Sequence, residues 1–169
     1  MWYVVQVRTG TEEEILAQCK KILDSEVLER GFIPYYESLK KYQGEWHLEE
    51  KILFPGYVFM ITEDIQKLYM ELKQVIGLTK IIGTGEELIP LSLEEVCFLK
   101  EFGKETQVVE LSVGKIVNGK TIITDGPLKG KERFIRKIDR HKRKAYLEIP
   151  MFGKIMETQV GLEIKEKIK

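Results

Sequence analysis

The spacing of hydrophobic positions shifts along the chain, and each shift marks an element. Residues 2–8, "WYVVQVR", are aromatic and β-branched and predict a strand stopped by "TG". Ile15, Cys19 and Ile22, with Leu16 and Leu23 beside them, then recur at helical spacing. Thr11 with Glu14 three positions on has the form of a capping box at that helix's start. Residues 32–61 read as strands, with "FIPYYESLKKY" and "ILFPGYVFMI" on either side of "YQGEWHLEEK", a long hairpin or loop. In "GYVFMI" a period of two puts Tyr57, Phe59 and Ile61 on one face and Val58 and Met60 on the other. "EDIQKLYMELKQV" predicts a second helix, "LTKII" a strand and "GTGEE" a turn. "SLEEVCFLKEF" predicts a third helix, opened by Ser92 and Glu95 as a second capping box. The order strand, helix, strands, helix, strand, helix predicts an α+β sandwich with helices packed on a mostly antiparallel sheet.

After Phe102 the texture changes. "GKETQVVELS" lacks a helical period and reads as a linker. Beyond it come "KIVNG", "KTIITDG", "ERFIRKID", "AYLEIPMFG" and "METQVGLEI", short β-rich runs separated by Asn-Gly, Asp-Gly-Pro and Phe-Gly turn signals. They predict a small β-barrel. The expected division is therefore residues 1–102, a linker at 103–112 and a second domain at 113–169.

Charge sharpens that division. The chain has 27 Lys and Arg against 27 Asp and Glu, yet residues 110–169 carry 15 basic against 8 acidic side chains. Nine basic and two acidic residues fall within Lys129–Lys144, so the whole excess of the second half lies there. A solvated strand pair with lysines guarding its edges accounts for scattered lysines. It accounts poorly for "RHKRK", residues 140–144, whose cations repel one another unless an anion meets them. Clustered Lys and Arg in a small all-β module point to nucleic acid. Only Phe134 and Tyr146 flank the stretch, which favours a folded, backbone-rich RNA over a single strand held by stacking.

Three motifs in register carry a family resemblance that covers nearly the whole chain. "WYVVQVRTGTEEE", "LFPGYVFM" and "DGPLKGKERFIRKID" resemble the NusG family of transcription elongation factors. The first two look like its N-terminal (NGN) domain, an α/β sandwich with an antiparallel sheet, and the third like a KOW domain, an SH3-like β-barrel. The usual KOW motif has a glycine three positions after the one matching Gly130, where this chain has Arg133. With "IDRHKRKAYLEI" and "VGLEI", that departure makes the chain most similar to the LoaP antiterminator subfamily. The resemblance implies a factor for transcription elongation and processive antitermination, and the chain is expected to be cytoplasmic, monomeric and non-enzymatic. Its NGN domain would grip RNA polymerase at the β′ clamp helices, and its KOW domain would bind an RNA hairpin in the nascent leader transcript. The alternative is a general NusG-type factor whose barrel binds a ribosomal or other elongation protein.

The candidate RNA contacts are Lys129, Lys131, Arg133, Arg136, Arg140, His141, Lys142, Arg143 and Lys144. Arg140 and Arg143 could fork onto phosphate or guanine, and Lys142 and Lys144 would act as point charges. The candidate polymerase contacts are Phe54, Tyr57 and Phe59. Phe54, with Val58, also reads as plain core, whereas the resemblance puts Tyr57 in an apolar depression that receives the clamp helices. Trp46, near the hairpin tip, reads either as an exposed contact or as packed back on the sheet. No catalytic, metal or cofactor site is expected. His47 and His141 are far apart, Cys19 and Cys97 lack ligand-spaced neighbours and read as buried reduced thiols, and Glu49–Glu50 beside Lys51 is a charged loop. No apolar run is long enough to span a membrane.

Overall fold

The computed structural model describes residues 1–75, 78–81, 83–84, 87–88 and 90–169; Ile82 of the expected strand and residues 85–86 of the expected "GTGEE" turn lie outside them. The chain forms two compact units, Met1–Ile33 with Phe54–Cys97 and Pro34–Leu53 with Phe98–Lys169.

The first unit is built on a four-stranded antiparallel sheet ordered β2-β5-β1-β6, where β1 is Trp2–Val7, β2 is Arg30–Phe32, β5 is Tyr57–Ile61 and β6 is Leu78–Ile81. Helices α1 (Glu12–Ile22) and α2 (Ile65–Leu72) belong to this unit, as does the small pair β7 (Gly83–Thr84) and β8 (Glu87–Leu88). Val4, Val5, Ile15, Cys19, Phe32, Phe59 and Leu68 are among its buried core residues. The inward stripe of α1 runs through Glu12, Ile15 and Cys19, then Leu23, and leaves Ile22 at the surface.

The two expected capping boxes part company. At Ser92 the box forms: the Ser92 N–H donates to Glu95 Oε1 at 2.8 Å, and the Glu95 N–H donates to Ser92 Oγ at 3.1 Å. Helix α3, Leu93–Gly103, follows it. At Thr11 no side-chain cap forms; its N–H and hydroxyl both turn back to the Arg8 carbonyl. The acid that serves the start of α1 is Glu12, whose buried carboxylate accepts from the Gly10 N–H at 2.6 Å and from the Gly56 N–H at 3.0 Å.

In the second unit, "YQGEWHLEEK" is no loose loop. Strands β3 (Tyr35–Tyr42) and β4 (Glu45–Ile52) pair through their whole length around Gln43 and Gly44. Both turn residues have positive φ, 54° and 78°, the twist a tight hairpin requires. The expected linker also carries structure: β9, Val108–Val109, pairs in parallel with Tyr35 and Tyr36. Buried Val109 and Gln107 anchor it there, so the hairpin groups with the C-terminal strands rather than with the sheet flanking it in sequence.

Five further strands form a sheet ordered β11-β10-β14-β13-β12, with β10 Ser112–Val117, β11 Lys120–Asp125, β12 Ile135–Asp139, β13 Lys144–Met151 and β14 Lys154–Ile168. Asn118–Gly119 and Phe152–Gly153 make its tight turns, again with positive φ at both residues. Strand β13 shows the period of two plainly: Ala145, Leu147, Ile149 and Met151 are buried, and the residues between them are not. Of the two thiols, Cys19 is buried and Cys97, expected inside, lies exposed on α3.

Candidate nucleic-acid interface

The basic run is the turn that joins β12 to β13. Asp139 and Lys144 close it as a cross-strand pair, and Arg140–Arg143 form the loop. The Asp139 carboxylate accepts from the Lys142 N–H at 3.0 Å. That bond, together with the nearby Lys142 and Lys137 charges, holds the Asp139 carboxyl below the usual aspartate range. Arg143 takes a left-handed backbone, φ 52°, which brings the chain back into β13.

The cations do not share one environment. Arg140, His141 and Lys142 are exposed. Arg143 is not: its Nη1 lies 3.3 Å from Glu163 Oε1, and its guanidinium sits 4.0 Å from the ring centroid of Trp46 on the β3–β4 hairpin of the same unit. A planar guanidinium stacked on indole and tied to a carboxylate orients the turn rather than waiting for a ligand. Lys144 is half-buried, and desolvation, reinforced by the positive charges of Lys51 and Lys142, pulls its ammonium below the usual lysine value.

The remaining candidates divide likewise. Lys129 is exposed beside Gly130. Lys131 is only 14% exposed at its side chain, with Nζ 3.0 Å from Glu101 and over the Phe98 ring. Arg136 donates to Glu148 Oε2 at 3.1 Å and to the Arg133 carbonyl at 2.7 Å. Arg133 lies in a short 3-10 turn, Glu132–Phe134, donates to the Gly130 carbonyl at 3.1 Å and covers the Phe134 ring. The turn does not need the backbone freedom of glycine at position 133, so arginine stands there without strain. Sequence reasoning assigned no role to Lys51 and left Trp46 open; both reach the basic turn through tertiary pairing, which no local pattern signals.

The aromatic candidates lie elsewhere. Phe54 and Phe59 are 1% and 0% exposed and pack on each other with centroids 6.1 Å apart; Phe59 also stacks on Phe32 at 5.3 Å. They are packed as core residues, one of the two readings given for Phe54: every side chain of β5 from Tyr57 to Met60 is buried, so the period of two separates two interior faces. Tyr57, at 7%, is buried as well.

Among the described residues, no group of three or more His, Cys, Asp or Glu could hold a metal, and no helix is long and apolar enough to cross a membrane.

Residues 1–100 match the family model described as "Transcription termination factor nusG". The transcription termination/antitermination proteins NusG of Staphylococcus aureus strains Mu50 and N315 are each 29% identical to this chain, over 99% of it and 95% of their own length. A solved structure of Thermotoga maritima NusG, from work on its domain interaction, is similar over 96% of this chain and 93% of that one, with a TM-score of 0.63 at 23% identity. Antiparallel sheet with helices, followed by a small five-stranded β domain of the KOW kind, is thus the architecture of a known group, and the chain belongs to the NusG family of transcription factors.

Proposed function

We propose that the protein is a processive antitermination factor of the LoaP kind, with a polymerase-binding NGN domain in residues 1–102, a connecting stretch at 103–112 and an RNA-binding KOW domain in residues 113–169. The NGN domain engages the β′ clamp helices of RNA polymerase at the apolar region around Phe54, Tyr57 and Phe59. The KOW domain engages a hairpin in the leader transcript. The carrying observation is the turn that presents Arg140, His141 and Lys142 to solvent while Arg143 braces it from behind. Exposed cations on a fixed turn meet phosphates without first breaking internal ion pairs, and phosphate contacts dominate affinity for nucleic acid.

Tethering gives the two contacts their joint effect. Once one end is bound, the other meets its partner at an effective concentration that can reach about millimolar, so two weak contacts suffice. Residence on polymerase then follows the leader hairpin, and terminators downstream are read through.

Single-round transcription with purified polymerase tests this. Read-through of a terminator should rise only when the leader hairpin precedes it, and Arg140→Ala with Lys142→Ala should abolish the rise while leaving polymerase binding intact. Equal read-through without any hairpin sinks the leader-RNA reading. Capture of a ribosomal protein by the basic domain, with no RNA binding, installs the general NusG-type factor in its place.

A further inference from the structure

We propose that the tip of the β3–β4 hairpin is a stacking site for an unpaired RNA base, with Tyr42 as its platform; the proposal rests on the reading of the neighbouring basic turn as an RNA contact. The Tyr42 ring lies flat on His47, with centroids 3.6 Å apart and planes 12° apart. With one face covered in this way, the residue is still 45% exposed. It is held outward by a second ring, so a base arriving on it extends an existing stack and finds the side chain already ordered.

The position of this ring gives it a role. Trp46, paired with Lys41 and so on the opposite face of the hairpin from Tyr42, carries the Arg143 guanidinium, and this contact sets the hairpin tip beside the basic turn within one unit. The tip thus carries Trp46 on the face that meets the basic turn and the Tyr42–His47 stack on the other, within reach of one RNA passing the tip. Lys40 and Lys41 precede Tyr42 and are exposed, adding charge for a backbone passing the ring. Glu45, paired directly across from Tyr42, is also exposed and repels phosphate at that point. A base face, not the sugar-phosphate chain, is what this arrangement accepts. Sequence-tolerant stacking on an aromatic, flanked by cations that follow the backbone, is how proteins hold unpaired nucleotides. The ligand is thus a hairpin whose stem phosphates meet Arg140 and Lys142 and whose loop or bulge offers one splayed base to Tyr42.

The probe is an RNA hairpin selected by the full-length protein from a library randomised in stem and loop. Tyr42→Ala should weaken its binding about tenfold, the typical worth of one stacked base, with no change in the salt slope because no charge is removed. Tyr42→Phe should bind like the parent, since the ring and not the hydroxyl does the stacking. An abasic nucleotide at one loop or bulge position should cost the parent protein about the same tenfold and cost Tyr42→Ala nothing more. If Tyr42→Ala binds as tightly as the parent while Arg140→Ala and Lys142→Ala lose affinity, the stacking site is refuted and the basic turn stands. If no hairpin is selected, or none of these variants changes binding, both readings fall.

Discussion

Residues 54–60 and residues 140–144 are the two stretches of this chain with the plainest chemical identity, one aromatic and the other cationic. Both have the composition of a contact surface. Yet Phe54 and Phe59 are sealed in the first unit, while Arg140, His141 and Lys142 stand in solvent on the second. Removing apolar area from water is favourable whether the cover is the protein's own core or a partner, so an aromatic strand fits either fate. A run of cations has no such ambiguity. Desolvating unpaired charge is so costly that the turn must stay outside or find partners, and Arg143, with Glu163 and Trp46, shows the second solution next to the first.

The sharpest way to break this contrast is Phe59→Ala. Truncating a fully buried phenylalanine should cost about 3–5 kcal/mol of stability, read from chemical denaturation of the full chain. Near-parental stability combined with abolished polymerase binding would return Phe59 to the surface. Next in size, Arg143→Ala should cost about 1 kcal/mol through removal of the indole stack and ion pair. Arg143→Lys should not restore it, because an ammonium cannot lie flat on Trp46. Full rescue by lysine would reduce Arg143 to one more exposed charge. Arg140→Ala and Lys142→Ala should shift stability by less than about 0.5 kcal/mol. Each of them that removes a phosphate partner should, however, flatten the slope of log RNA affinity against log salt by about 0.7–0.9. An unchanged slope would make the tip a mere solvated edge.

The smallest effect concerns acid. The Asp139 carboxyl titrates below its ordinary range, so the stabilisation it lends the turn is fully present above the unfolded value of about 3.9 and is lost as pH falls through the folded one. Carboxyl-detected NMR should place its midpoint below that of an unstructured aspartate, and the Lys142 amide should lose exchange protection over the same acid range. An ordinary midpoint would mean the turn is not fixed by this bond.

What the sequence disclosed follows the range of the forces involved. Strand β1, helix α3 with its Ser92–Glu95 box and the Asn118–Gly119 and Phe152–Gly153 turns are set by neighbours within a few positions, and all form as read. Thr11 and Glu14 have the same local form as Ser92 and Glu95, but Glu12 reaches a distant glycine and the helix starts differently. The basic turn was legible because charge density is a property of the run itself. Its Trp46 support, the pairing of β9 with β3 and the exposure of Cys97 depend on which surfaces meet after folding, and spacing along one chain does not record that.

Glu12 sets an order of events. Its carboxylate joins the start of α1 to the backbone of Gly56, 44 residues later in the chain. An isolated helix as short as α1 is marginal in water, and here its first turn lacks a side-chain cap of its own. As the chain leaves the ribosome, then, α1 has no lasting seat until the Pro55–Gly56 turn has emerged and been laid against it. Helix α1 therefore waits for a partner made 44 residues after it, and the segment between Glu12 and Gly56 remains open to chaperones for that interval.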